Sequence, residues 1–191
     1  MCFYSLFYQI KALEENNKFE AALVLCTKAL KFKPTYHAIL HTKGRILEEL
    51  NKKDEALKAY TDIINIYPDC WSAWNRKAII LSKMRRYEDA LDAYNQVTEI
   101  VQYSWILNDK ASILEKLNKY ENALEVYNAS LKIYPRDWHI WKKKANLLYK
   151  LNKNKDARIS IFNTIKTYIL ITINDFSAPE GNVEVYCHHQ N

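Results

Sequence analysis

SWILNDKASILEKLNKYENALEVYNASLKIYPRD, residues 104–137, reads as two amphipathic helices joined by a tight turn. Leu107, Ala111, Leu114 and Leu117 share one face of a 3.6-residue period. The second helix begins after Asn118-Lys119 and runs through Tyr120, Ala123, Leu124, Tyr127 and Leu131 to Ile133. Pro135 follows where a helix must have ended, because proline disfavours helical geometry in the residue before it.

The same pattern repeats on either side of this stretch. Alanine stands at Ala22, Ala56, Ala90, Ala123 and Ala157, at spacings of 34, 34, 33 and 34. Leu23, Leu57, Leu91 and Leu124 follow four of these alanines, and Cys26, Tyr60, Tyr94, Tyr127 and Ile161 stand four places beyond all five. Pro34, Pro68 and Pro135 keep the same step. With each proline at place 32, the units run 3–36, 37–70, 71–103, 104–137 and 138–171, leaving 172–191 as an irregular C-terminal tail. A period of this length means a stack of identical supersecondary pieces, each too small to bury its apolar side alone.

Composition narrows the alternatives. The chain has only 2 glycines in 191 residues, about 1% against a usual share of about 7%. That scarcity excludes the glycine-rich phosphate loops on which many enzymes depend. With 4 prolines, it also leaves few turn-makers for an all-β fold. The helix-to-helix turns are instead Asn17-Lys18, Asn51-Lys52, Arg85-Arg86, Asn118-Lys119 and Asn152-Lys153. Asparagine tolerates the left-handed backbone that closes a helix without glycine.

Small residues at place 8 (Ala78, Ala111, Ala145) and place 20 (Ala56, Ala90, Ala123) let paired helices approach closely. Bulky ones at places 4 and 24 fill the space around them: Leu40, Trp74 and Trp141; Tyr60, Tyr94 and Tyr127. This combination resembles the tetratricopeptide repeat (TPR) family, whose pattern is a large residue at place 4, Gly or Ala at 8, a large apolar residue at 11, Ala at 20, an aromatic at 24 and Pro at 32. Unit two supplies Leu40, Gly44, Leu47, Ala56, Tyr60 and Pro68, and unit three Trp74, Ala78, Leu81, Ala90 and Tyr94. Unit three lacks the proline (Val101-Gln102) and is one residue short, so a local irregularity is expected after Ile100. Units one and five are degenerate: Ile10 replaces the small residue at place 8, and Ile161 the aromatic at place 24.

The resemblance implies an all-α, right-handed superhelix of about ten antiparallel helices whose first helices line a groove for a peptide or helix of another protein. Groove-facing candidates are Phe7 and Tyr8 in unit one, His41 and Arg45 in unit two, and Asn75 and Arg76 in unit three. Trp105 and Asn108 follow in unit four, then Lys142, Lys143 and Asn146 in unit five. The surface is aromatic and acidic-edged at its start and basic at its end, so a partner segment with acidic groups near Lys142, Lys143, Asn146 and Lys150 is expected. The two-carboxylate clamp of chaperone-binding TPR domains is not matched: Phe7, Lys11, Thr42 and Ser72 depart from it, and Arg76 alone agrees. Trp74 and Trp141 are expected in the core, and Trp71 and Trp138 at the junction with the preceding unit.

Catalysis finds no support in the sequence, and no cofactor or metal site is expected. His37 and His41 have the i, i+4 spacing that can bind metal, but no third ligand is evident nearby. Cys187-His188-His189 gives at most adventitious binding. Cys2, Cys26, Cys70 and Cys187 form no C-x-x-C pair, which suits a reduced, cytoplasmic setting. The N-terminal MCFYSLFYQIK lacks the basic region and cleavage site of a signal peptide, and YILITI, 168–173, is too short to span a bilayer. That uncharged segment and the aromatic start of unit one both point to self-association through the stack ends, or to a longer stack.

The leading reading is a protein-interaction scaffold. The alternatives are the substrate-recruiting repeats of a larger enzyme, or an RNA-binding helical repeat. The net charge of +6 permits nucleic acid, but Glu14, Glu15, Glu48, Glu49 and Glu115 interrupt any basic stripe.

Overall fold

A computed structural model describes residues 3–177, with side chains through Thr172. Among these residues there are ten helices and no strand. They are α1 (Phe3–Glu15), α2 (Phe19–Phe32), α3 (His37–Glu49), α4 (Lys53–Ile66), α5 (Trp71–Lys83), α6 (Tyr87–Ile100), α7 (Ser104–Lys116), α8 (Tyr120–Ile133), α9 (Trp138–Lys150) and α10 (Asn154–Ser177). The chain divides into two compact units, Met1–Val126 and Tyr127–Asn191, with the boundary inside α8.

Each helical hairpin closes the same way. Asn17, Asn51, Arg85, Asn118 and Asn152 all take the left-handed backbone, with φ between 55° and 61°. The next N–H then reaches back five residues, as from Lys18 to the Leu13 carbonyl (2.8 Å) and from Lys52 to that of Leu47 (2.9 Å). This pairing satisfies carbonyls that the helix end would otherwise leave bare. The asparagines do here what glycine does in most proteins, as their positions in the repeat predict. Glu20, Glu55, Glu88 and Glu121 sit in the first turns of the second helices, where the helix dipole favours an acid.

In the first unit, α1 packs on α2, α2 on α3, and so on through α6 on α7. Three clusters of buried side chains fill the layers. One holds Leu6, Ile10, Cys26 and Ile39; the next Leu47, Tyr60 and Ile63; the third Ala78, Tyr94, Val97 and Ile106. The short third repeat behaves as its missing proline predicts. Where α2 and α4 are followed by a four-residue turn, α6 is followed by three residues, with Val101 extended at φ −140°, ψ 145°.

In the second unit, α9 packs on α10, burying Ile140, Ala145, Leu147, Leu148 and Ala157. Asp137 caps α9 by accepting from the backbone N–H groups of His139 (3.1 Å) and Ile140 (3.2 Å). The irregular tail expected from 172 does not begin there: α10 continues through Ser177. Thr164, Thr167 and Thr172 tie their hydroxyls to carbonyls one turn back, and Pro179 is too far along to oppose helical geometry before 178. The remainder of that expected tail, with Cys187-His188-His189, lies outside the described residues, as does Cys2.

Two tryptophan expectations need correction. Trp74 and Trp141 are half-buried, not core. Each donates its indole N–H to the carbonyl of the preceding proline, Pro68 (2.8 Å) and Pro135 (3.0 Å), and each carries a lysine ammonium over its ring, Lys77 and Lys144. They brace the proline turn, so the indole N–H must stay at the edge. Trp71 likewise meets the ring of Tyr103, at the end of its own repeat, and that of Trp105 in the following one, where a seal on the preceding unit was expected. Trp138 turns to its own repeat, stacking on His139 and meeting the edge of Tyr168.

Candidate functional site

The eight groove candidates of the first unit lie on α1, α3, α5 and α7, and several are already engaged with one another's neighbours. Arg45 pairs with Glu14 of α1 at 2.7 Å, and Arg76 lies 3.7 Å from Glu48 of α3. The Glu48 carboxylate also accepts from the Tyr60 hydroxyl at 2.7 Å. Burial together with that bond pushes the Tyr60 phenol far above its ordinary range. Both arginines were expected among the groove-facing binding residues, and each is shared with a glutamate of the preceding repeat, which offsets its charge.

One repeat further on, the same junction is built in reverse. Ser82 stands at the place of Glu48, and Asp109 at the place of Arg76. The buried Tyr94 hydroxyl bonds to Asp109, and burial with that carboxylate raises its phenol too. Lys110, half-buried and lowered by desolvation, donates to the Thr98 hydroxyl at 3.0 Å.

Two candidates stand out for what they lack. Asn75 is buried, only 7% exposed, and its amide Oδ1 has no hydrogen-bond partner; the same holds for the Oδ1 of Asn108, at the same place in the next repeat. A buried polar atom left unpaired costs about 1–3 kcal/mol. Beside them is an aromatic cluster. Trp105 and Tyr103 stack at 6.2 Å with their planes 10° apart, and Trp71 meets both edge-on. Trp105 is 47% and Tyr103 43% exposed. Trp105 and Asn108 are three residues apart on α7, hence on one face. At the start of the unit, Phe7 packs edge-on to Tyr36 and carries Lys11 over its ring, while Tyr8 stands exposed.

In the second unit, Lys142 and Asn146 line a cavity of about 530 Å³ with Trp138, Ile161, Ile165 and Tyr168. Lys143 is exposed but is not among its lining residues. Ile165, Tyr168, Ile169, Leu170 and Ile171 are exposed apolar side chains of α10.

The sequence reasoning missed one constellation. His37 and His41 were expected to lack a third ligand, but the Sγ of Cys70 lies 3.3 Å from the His37 Nε2. One ligand atom from each of His37, His41 and Cys70 lies within 4.8 Å of the others. The signal lay in the register: Cys70 ends the second repeat and immediately precedes α5, the helix one period on from the α3 that carries His37. His41 donates to or accepts from Ser72 Oγ at 2.9 Å. Its burial, then the nearby charges of His37, Arg76 and Arg45, lower its pKa to about 4. By contrast Cys26, buried beneath α1, has its thiol pushed up to about 12, chiefly by burial.

Helix-turn-helix units recurring at a nearly constant length define the helical-repeat class. Sequence models of the tetratricopeptide repeat match residues 13–78, 72–100 and 108–167, and the chain belongs to the tetratricopeptide repeat family. No curated protein matches the sequence. Among solved structures, the crystal structure of MamA superposes with a TM-score of 0.78 at 12% identity, covering 86% of this chain and 91% of that one. YrrB, described as a TPR protein with an unusual peptide-binding site, gives 0.70 at 13% identity over 88% and 89%. PilF of Pseudomonas aeruginosa gives 0.69 at 17% identity over 86% and 76%. At these identities the likeness shows the fold alone. Among the described residues no helix is long and apolar enough to cross a membrane.

Proposed function

We propose that the chain is a protein-interaction module whose first unit holds a segment of another protein against the face of α3, α5 and α7. The observation that carries the reading is the open aromatic cluster of Trp71, Tyr103 and Trp105 beside the unpartnered amide oxygens of Asn75 and Asn108. Large half-exposed rings are the residues on which binding energy concentrates once a partner excludes water. An amide oxygen without a partner gains a bond when a backbone N–H of an extended segment reaches it and the side chain turns to meet it. YrrB's peptide-binding site is in keeping with this use of the fold.

Because Arg45 and Arg76 are matched by Glu14 and Glu48, the first unit favours an apolar anchor over a strongly acidic one. Acidic groups belong instead to the second unit, where Lys142, Lys143 and Asn146 stand at the surface beside the apolar cleft between α9 and α10. The exposed apolar side chains of α10 are where copies of the chain would associate. Binding, without catalysis and in the cytoplasm, is the role that fits.

Selection of peptides from a random displayed library against the full chain tests the reading. Trp105→Ala is expected to weaken the selected peptides by about 2 kcal/mol or more, the cost typical of a central aromatic anchor. Peptides that bind Trp105→Ala and Asn108→Ala variants as tightly as the parent would refute it.

A further inference from the structure

We propose that His37, His41 and Cys70 form a zinc-binding site, a role beyond the binding of a peptide. Three observations converge. First, the donors are two imidazole nitrogens and one thiol sulfur, and imidazole and thiolate are both ligand types of zinc in tetrahedral protein sites. Second, the spacing is close to that of a bound ion. Zinc–ligand bonds of about 2.0–2.3 Å in a tetrahedron set neighbouring ligand atoms about 3.3–3.8 Å apart. The His37 Nε2 and Cys70 Sγ are already 3.3 Å apart, and no ligand pair exceeds 4.8 Å. Side-chain rotation of about an ångström closes the rest. Third, the fourth corner is prepared: Ser72 Oγ lies 2.9 Å from the His41 Nε2 and 3.3 Å from the Cys70 Sγ, where it, or a water it holds, completes four-coordination.

The rings are also held for the task. Tyr67 meets His37 edge-on at 5.2 Å and Tyr60 meets His41 edge-on at 5.5 Å, and the Tyr67 hydroxyl is itself anchored on the Thr35 carbonyl at 2.6 Å. Packing of this kind fixes the orientation of a ligating imidazole. The two arginines nearest the site do not oppose a cation at full strength, since Arg45 is paired with Glu14 and Arg76 with Glu48. On binding, two Zn–N bonds and one Zn–S bond form, and the thiol proton leaves to the buffer; no oxidant or reductant is needed. Because His37 and His41 lie on α3 and Cys70 immediately precedes α5, the ion ties α3 to the start of the next repeat's first helix.

The test uses the full chain, reduced and stripped of metal with a chelator. Titration with Co²⁺ is expected to saturate at one equivalent, giving the sulfur-to-cobalt charge-transfer band of a thiolate ligand and the visible bands of a tetrahedral ion. Zn²⁺ then displaces the cobalt stoichiometrically. Cys70→Ser removes the charge-transfer band, and His37→Gln, at an exposed position that leaves the helix intact, weakens zinc at least about tenfold. A Cys187→Ser, His188→Ala, His189→Ala variant separates this site from the tail and is expected to keep the full signal. Circular dichroism of each variant establishes that it is folded. Absence of a sulfur-to-cobalt band in the parent chain, retention of that band in folded Cys70→Ser, or its loss with the tail variant overturns the proposal. None of these readouts depends on peptide binding, so the two proposals fail separately.

Discussion

The first two repeats fill the same two positions with opposite volumes. In α1 and α2 a large Ile10 shares a buried cluster with a small Cys26; in α3 and α4 a Gly44 lies under the ring of Tyr60. A Cβ added to Gly44 would come within 2.7 Å of the Tyr60 Cζ, so the glycine is required by the ring. Packing selects the pair, and neither residue alone is diagnostic. The choice has consequences beyond volume. Cys26 ends inside the core, whereas Tyr60 carries a hydroxyl through it to Glu48, which Arg76 also approaches. The second repeat thereby connects its core to the face that carries His41, Ser72 and Asn75, and the first does not.

The strongest way to break the comparison is to move the large residue across. Gly44→Ile alone is expected to cost about 3 kcal/mol or more, because the overpacked ring has nowhere to go. Gly44→Ile with Tyr60→Cys copies the first repeat's pair and is expected to recover at least half of that loss, measured by urea unfolding. A double variant no more stable than the single would show that the volumes are not exchanged as a pair.

Next in size is the glutamate that both repeats carry at the same place. Glu48→Ala leaves the buried Tyr60 hydroxyl without its acceptor and is expected to cost about 2 kcal/mol. Glu14→Ala removes only a partly exposed ion pair with Arg45, worth about 0–1 kcal/mol. Equal losses would contradict the distinction.

Alkaline titration sharpens it further. The folded pKa of Tyr60 and that of Cys26 are both raised, so the unfolded chain releases these protons first. Stability contributed by their neutral forms is therefore full below the unfolded pKa and is lost as pH rises, from about 9 for Cys26 and about 10 for Tyr60. The slope is about 1.4 kcal/mol per pH unit for each group. Cys26→Ala is expected to flatten the curve from pH 9 and Tyr60→Phe only from pH 10; identical curves for parent and variants would count against burial of either group.

The smallest effect concerns the turns. Arg85 takes the left-handed backbone that asparagine takes in the other four hairpins. Arg85→Asn is expected to stabilise the chain by about 0.5–1 kcal/mol, while Asn51→Gly changes little.

The fold was legible because one fixed period, read at the alanines and prolines, set every helix and turn. Even the missing proline of the third repeat foretold the extended link at Val101. What misled was reading places one at a time. Ile10 looked degenerate because it departs from the pattern singly, while together with Cys26 it conserves volume. The partners of Arg45 and Arg76, Glu14 and Glu48, went unnoticed because they belong to the preceding repeat. Cys70 was passed over as a ligand for His37 and His41 because it stands at the far end of their repeat, and the contact is a property of the stack and not of local sequence. Asn75, Trp105 and Asn108 were named from the sequence, but no one-dimensional signal tells an amide that is satisfied from one that is not.

The binding face can be tested directly by site-specific photocrosslinking with a selected peptide. A benzophenone amino acid replaces Ser72 on the α5 side of that face or, as the control, Asp62 in the polar cleft that Lys58, Thr61 and Arg86 help to line. Crosslinks from position 72 and none from position 62 are the predicted result. Crosslinks confined to position 62 would put the partner on the opposite set of helices and contradict the account.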